Sequence, residues 1–394
     1  PGRSGPDLSQ AVRQYEAVVR LDPEFALAWA HLANAAVAST GGYDGSDETI
    51  AKARQAADTA LRLGPNLPEA HSARAYVHLA ELEFERATRE LDAAEKLRPN
   101  DAEAALLRAW VEYQWGAWTP QFWSLAQRAV ELDPQSTRTL WLMGAAATVS
   151  GHFAEAEDWL GRPAARQSTA PFVFRALNRI AWRGEIPTAL AQLQECPESF
   201  RAEIFFRSVA RLHEMARDPE AALLAWERAL IATQTQDRTS GVREGHVSAL
   251  LQIGVHYSRK GDDVRAKACF EEALIEAEKL VSDYPRYAPA FLALARVRAQ
   301  RGEKHLAEEA LSKGGVSRMP APIQYFASHA EVLAQLGRIE DAVSELRRLH
   351  DSGVGFGHLL RLEPKWDPLR GDSKFQQLMR EAEARANAVK PVQR

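Results

Sequence analysis

Small and apolar residues recur at a fixed spacing along this 394-residue chain. A small residue is followed four and seven positions later by residues suited to inward packing, and then often by a proline. Ala11, Tyr15, Val18 and Pro23 show it first, then Ala53, Ala57, Ala60 and Pro65, then Ala87, Leu91, Ala94 and Pro99. Positions i, i+4 and i+7 share one face of an α-helix, so the spacing predicts a helix with a narrow buried stripe. A second apolar helix precedes each one after the first, giving units of helix A, tight turn, helix B. The stretch from Val247 to Ala273 is the clearest. Leu250, Ile253, Gly254 and Tyr257 line helix A, Gly261 makes the turn, and Ala266, Phe270 and Ala273 line helix B. The small Gly254 and Ala266 let the two helices approach closely, with Phe270 and Tyr257 filling the space beside them.

The same template places units near 26–63, 68–97, 102–132, 137–162, 170–195, 203–233, 247–282, 288–313 and 323–350. Gly151, Gly184, Gly261, Gly302 and Gly337 fall at equivalent turns, where a helix end needs positive φ. The pattern resembles the tetratricopeptide (TPR) repeat. The resemblance implies an all-α fold, a right-handed superhelical solenoid of helix-turn-helix repeats in which each unit buries its apolar face on its neighbours.

Departures from the pattern divide the chain. Residues 1–162 hold the N-terminal units, beginning with 8–21, a helix B without its helix A. That half-repeat reads as a fragment of a longer protein. Gly161-Arg162-Pro163 ends a helix early, because proline blocks continuation, and 163–233 follow as middle units. Residues 247–350 form the C-terminal units. Residues 355–386 read as a cap whose Trp366, Leu369, Phe375 and Leu378 cover the last repeat. The loop 39–47 lengthens the first full unit. The polar stretches 233–244 and 314–322, with the break at 161–163, read as connectors or bends.

Composition narrows the function. With 46% apolar and 26% charged residues the chain suits a packed fold rather than disorder, and a net charge of −4 gives no global pull toward nucleic acid. The longest uncharged run, Thr139 to Ala154, is too short and polar to span a bilayer. No apolar signal-like stretch opens the chain. Cys196 and Cys269 lie in different units, which argues against a disulfide scaffold.

No phosphate-binding glycine loop, HExxH motif or zinc-spaced cysteine pair is present in the sequence. His305, His329, His350 and His358 are scattered among units and read as surface or packing residues. Glu244, in Arg243-Glu244-Gly245-His246, reads as complementing a helix terminus. The neighbours Glu271-Glu272 and Glu308-Glu309 do not face each other on a helix, so they are poor paired catalysts. Arg347-Arg348 reads as a solvated pair. The expectation is therefore no enzyme activity, no catalytic residue, no metal and no cofactor. Direct nucleic-acid contact and membrane insertion are not expected either.

A partner is expected on the inner wall built from helix A. The inward positions of the central units are Trp110, Tyr113, Trp141, Phe174, Arg175, Asn178, Trp182, Arg207 and Arg211. Aromatic faces, an amide and guanidinium groups suit an extended peptide, with arginine gripping a carboxylate through two bonds. Packing of these aromatics between repeats is the competing reading. The stretch Trp115-Gly116-Ala117-Trp118-Thr119-Pro120-Gln121-Phe122-Trp123 reads either as a contact patch or as a replaced turn packed on the next unit.

The opening stretch from Asp7 to Ala30 and the closing stretch Trp366-Asp367-Pro368-Leu369-Arg370-Gly371-Asp372-Ser373-Lys374-Phe375 resemble the two ends of the TPR region in bacterial CadC-like and adenylate-cyclase-like regulators. In that family an upstream winged helix, kinase or cyclase does the signalling chemistry, often ahead of a membrane span. The TPR region senses or docks. The resemblance implies a non-catalytic interaction or sensory domain of a bacterial signalling or transcriptional regulator. Its protein or peptide partner would lie in the groove, with output through curvature or self-association. Its compartment would be cytoplasmic, or extracytoplasmic if a span precedes it. Two alternatives stay open: a small-molecule sensor with an aromatic pocket near the bend at 161–203, and a substrate-docking region for an enzyme upstream.

Overall fold

The structure, a computed structural model, describes residues 5–39, 47–81, 83–114, 119–166, 168–234, 240–285, 287–314 and 323–390. After a lone α1 (Gly5–Leu21) the helices alternate as A and B partners. They are α2 (Ala26–Ser39) with α3 (Asp47–Leu63), α4 (Pro68–Ala80) with α5 (Phe84–Leu97), α6 (Ala102–Gln114) with α7 (Pro120–Leu132), and α8 (Thr137–Val149) with α9 (Phe153–Gly161). Next come α10 (Thr169–Arg183) with α11 (Ile186–Gln194), α12 (Glu203–Met215) with α13 (Pro219–Gln234), and α14 (Ser240–Arg259) with α15 (Asp263–Asp283). The last pairs are α16 (Ala288–Gln300) with α17 (Lys304–Lys313) and α18 (Ile323–Gln335) with α19 (Ile339–Asp351). A short α20 (Leu359–Leu362), a 3-10 turn (Pro364–Leu369) and α21 (Ser373–Ala388) follow. Among the described residues the secondary structure is helical throughout, and the fold class is an all-α solenoid of helix pairs.

The chain folds as two compact units. Unit 1 comprises α1 to α7 and the first turn of α8; unit 2 comprises the rest of α8 to α13, then α14 from Val242 onward. In both, the A helices are built from small residues because neighbours flank them on two sides. In α4, Ala70, Ala73, Ala75, Val77 and Leu79 are all buried; in α8, Leu140, Leu142, Ala145, Ala146 and Ala147 are. The B helices bury one stripe only, such as Ala87, Leu91 and Ala94 in α5.

Close A–B approach depends on missing side chains. A Cβ placed on Gly144 would lie 2.4 Å from Leu160, and one on Gly254 would lie 2.6 Å from the Phe270 ring. The expected turn glycines all take positive φ, between 68° at Gly184 and 80° at Gly337. The α12–α13 turn differs, because Arg217 adopts φ 60° there.

Two stretches read as irregular need comment. Residues 233–244 were expected to be a polar connector, yet α13 runs to Gln234 and α14 already starts at Ser240. The polarity of this first turn belongs to a helix whose charges are paired: Arg243 donates to Asp283 at 2.6 Å and Glu244 accepts from Arg207 at 2.9 Å. Glu244 therefore serves an inter-helix ion pair rather than a helix terminus. In the tryptophan-rich stretch, residues 115–118 lie outside the described residues. Thr119 caps α7 by accepting from the Phe122 amide at 3.2 Å, and Phe122 is fully buried with its ring 4.9 Å from Trp123. Residues 40–46 and 315–322 of the expected loop and connector also lie outside the described residues.

The segment after Gly353 belongs to the core of unit 2. Leu360, Trp366, Leu369, Phe375 and Leu378 are buried in one cluster with Leu292, Leu333 and Leu346 of α16, α18 and α19. Five large side chains at about 2 kcal/mol each bury on the order of 10 kcal/mol of apolar stabilisation there. The same segment also turns back to the first helices of the unit. The Gly355 amide donates to Val149 O at 2.7 Å and the His358 amide to Ala181 O at 2.9 Å.

Two stability outcomes follow from this packing. Gly254→Val is expected to cost about 1–3 kcal/mol by overpacking, and Phe270→Leu in the same chain should restore part of it. Trp366→Ala is expected to cost about 3–5 kcal/mol. Denaturant unfolding of the full chain checks both.

Candidate functional site

A row of paired charges alternating in sign runs across unit 2. Glu203, Arg207 and Arg211 repeat at four-residue spacing and share one face of α12; Glu244 and Ser248 do the same on α14. Arg207 Nε lies 3.1 Å from Glu203, and its Nη1 lies 2.9 Å from Glu244. Ser248 Oγ donates to Glu244 at 3.0 Å and accepts from Arg296 of α16 at 3.4 Å. Arg296 Nε sits 3.0 Å from Glu331 of α18, and Lys365 Nζ lies 3.9 Å from Glu331 and 2.7 Å from Glu363. Glu363 then pairs with Arg211, which returns the row to α12.

Burial sets the electrostatics of this row. Glu203 is buried, and desolvation raises its carboxyl to about 6, against a lowering by Arg207 and with a further push from Glu244. Burial also works against Glu363, but Lys365 and Arg211 outweigh it and hold that carboxyl at about 2. Glu244 is likewise held below the usual range, because Arg207 and Arg296 overcome its desolvation.

The C-terminal segment supplies the rest of the site. Arg217 makes two bonds to Asp367, at 2.7 and 2.8 Å, and Trp182 Nε1 donates to Val389 O at 3.2 Å. Trp182, Phe153, Ala181 and Ala386 form a small buried cluster with Leu359 and Val389 against it. Close approach here again requires glycine. A Cβ on Gly355 would lie 2.4 Å from Gly151 Cα, and one on Gly357 would lie 1.8 Å from Ala181 O.

The nine inward residues expected from the sequence take different places. In unit 1, Trp110 and Tyr113 are both buried on α6 with rings 5.9 Å apart, and burial pushes the Tyr113 hydroxyl to about 12. In unit 2, Trp141 and Phe174 meet edge to face at 5.8 Å. Arg175 of α10 is bonded to Glu157 of α9 at 2.9 Å and to Glu195 at the end of α11 at 3.0 Å, bracing two B helices. Asn178 is fully buried and donates to Phe153 O at 2.9 Å. Arg207 and Arg211 lie in the charged row, and Trp182 and Arg211 hold the C-terminal segment. Thus Arg207 and Arg211 pair with carboxylates, Trp182 packs on the C-terminal helix, and Arg175 and Asn178 tie helices together.

The sequence reading missed Glu203, Glu244, Arg296, Glu331, Glu363 and Lys365 as members of one site, and missed Arg217. One signal was available: charged residues at four-residue spacing on an otherwise apolar A helix. His358, read as a scattered histidine, is buried 3.4 Å from Glu383. One further group has metal-like spacing: the ligand atoms of His78, Glu81 and Glu83 lie within 4.8 Å of one another. Its carboxylates already carry guanidinium partners, Arg54 on Glu81 and Arg86 on Glu83, and Glu81 is held at about 2 because His78, Arg54 and Arg74 outweigh burial. That chemistry is an ion-pair network at the α4–α5 turn.

The charged row gives a signed pH effect. A folded-state value for Glu203 above its usual 4.5 means its contribution is most favourable below pH 4.5 and is lost as pH rises through about 6. Glu203→Gln should therefore raise stability at pH 8 by about 1–2 kcal/mol and change little at pH 4.5. Glu81 and Glu363 act oppositely, stabilising above pH 4.5 and losing that contribution as pH falls toward about 2. Urea unfolding of wild type and variant at both pH values measures the difference.

No protein-family profile matches the chain, and no curated protein matches it significantly in sequence. Solved structures do. Yeast Tom70 is similar at 13% identity, with 88% of this chain and 89% of that chain covered and a TM-score of 0.52. PilW, a type IV pilus biogenesis factor, aligns at 14% identity over 57% of this chain and 96% of its own, with a TM-score of 0.42. A tetratricopeptide repeat protein from Parabacteroides merdae aligns at 15% identity over 62% and 93%, with a TM-score of 0.41. At these identities the likeness bears on fold alone, and Tom70 is the one of the three above a TM-score of 0.5. No helix among the described residues is long and apolar enough to cross a membrane. Helix pairs at the expected positions, glycines at their turns and this likeness make the fold that of a tetratricopeptide-repeat protein.

Proposed function

We propose that the chain is a non-catalytic protein-interaction module whose inner face in unit 2 recognises an extended acidic segment of a partner protein. One observation carries the reading: this face already holds two carboxylates and a backbone carbonyl of the chain's own C-terminal segment. Glu363 lies between Arg211 and Lys365, Asp367 is held in two bonds by Arg217, and Val389 O accepts from the Trp182 indole. Arginine in bidentate contact with a carboxylate, beside an amphipathic aromatic, is a combination suited to peptide recognition.

The resemblance to bacterial regulators supplies a setting, in which this module is the docking or sensory part and the signalling chemistry lies in another domain. The rings of Trp110 and Tyr113 in unit 1 and of Trp141 and Phe174 in unit 2 are secondary contact candidates in this reading. A cleft of about 230 Å³ is lined by Glu278, Phe291, Arg298 and Lys313, and a shallow one runs along α3.

The test is an array of 12-residue peptides, matched in length and aromatic content but acidic or basic, probed with the labelled full chain. Acidic peptides should be retained, and Arg211→Gln with Arg217→Gln should weaken retention about tenfold, equivalent to about 1.4 kcal/mol. Equal retention of basic peptides, or an unchanged variant, rules the proposal out.

A further inference from the structure

We draw no further inference here: the strongest candidate, the cleft of about 230 Å³ over Val281, Phe291 and Leu294 between α15, α16 and α17, with exposed Ile275 and Leu306 on its two wall helices, is an unpartnered surface, and nothing in the structure shows what covers it.

Discussion

Charge that is partly removed from water must be paired, and unit 2 meets this demand by running its ion pairs from helix to helix. Glu203, Arg207, Glu244, Arg296, Glu331, Lys365, Glu363 and Arg211 alternate in sign across unit 2, with Ser248 as a neutral link. Deleting a member that its neighbours depend on leaves them desolvated without compensation, which costs more than the pair itself contributes; Glu203 is the exception, because its own charge is disfavoured by burial and Arg207 keeps Glu244. The row therefore fixes the relative placement of four successive A helices. Two of its members, Glu363 and Lys365, come from outside the repeats, so the row is completed only by the C-terminal segment.

This changes how the repeat principle applies. In a simple array each unit touches only its neighbours, and stability is a sum of local terms. Unit 2 departs from that scheme, because contacts spanning 150 to 207 residues join α10 and α12 to the segment that follows the last helix pair. Segment and early repeats are linked through Gly355, Gly357 and Gly151, where backbone meets backbone at distances that exclude a side chain. The segment is thus both part of the apolar core and a cross-link to the early repeats of the unit.

Local periodicity carried most of the fold. Small residues at four- and seven-residue spacing located the helix pairs because A–B packing is short-range and repeats with the sequence, and the turn glycines were visible for the same reason. The α14 start was misread because a charged helix face resembles a loop when its partners, Arg207 and Asp283, lie 37 and 40 residues away. Site chemistry was legible only in part. The repeat template selected Trp182, Arg207 and Arg211 as inward positions, but not the carboxylates and carbonyl they bond to, which lie 37 to 207 residues away. Asn178 and Arg175 were selected by the same template, yet their partners on the B helices depend on rotation of α10 about its own axis, which no local pattern encodes. Arg217 was invisible because a search for turn residues looks for glycine.

The 207-residue separation between Trp182 and Val389 also has a meaning for synthesis. A nascent chain elongating at roughly 5–20 residues per second presents α10 about 10–40 s before the residue that receives its indole proton. Through that interval Trp182 and the guanidinium groups of Arg211 and Arg217 wait for their C-terminal partners. The ribosome thus exposes, once in the life of every molecule, an indole ring that the finished protein keeps buried.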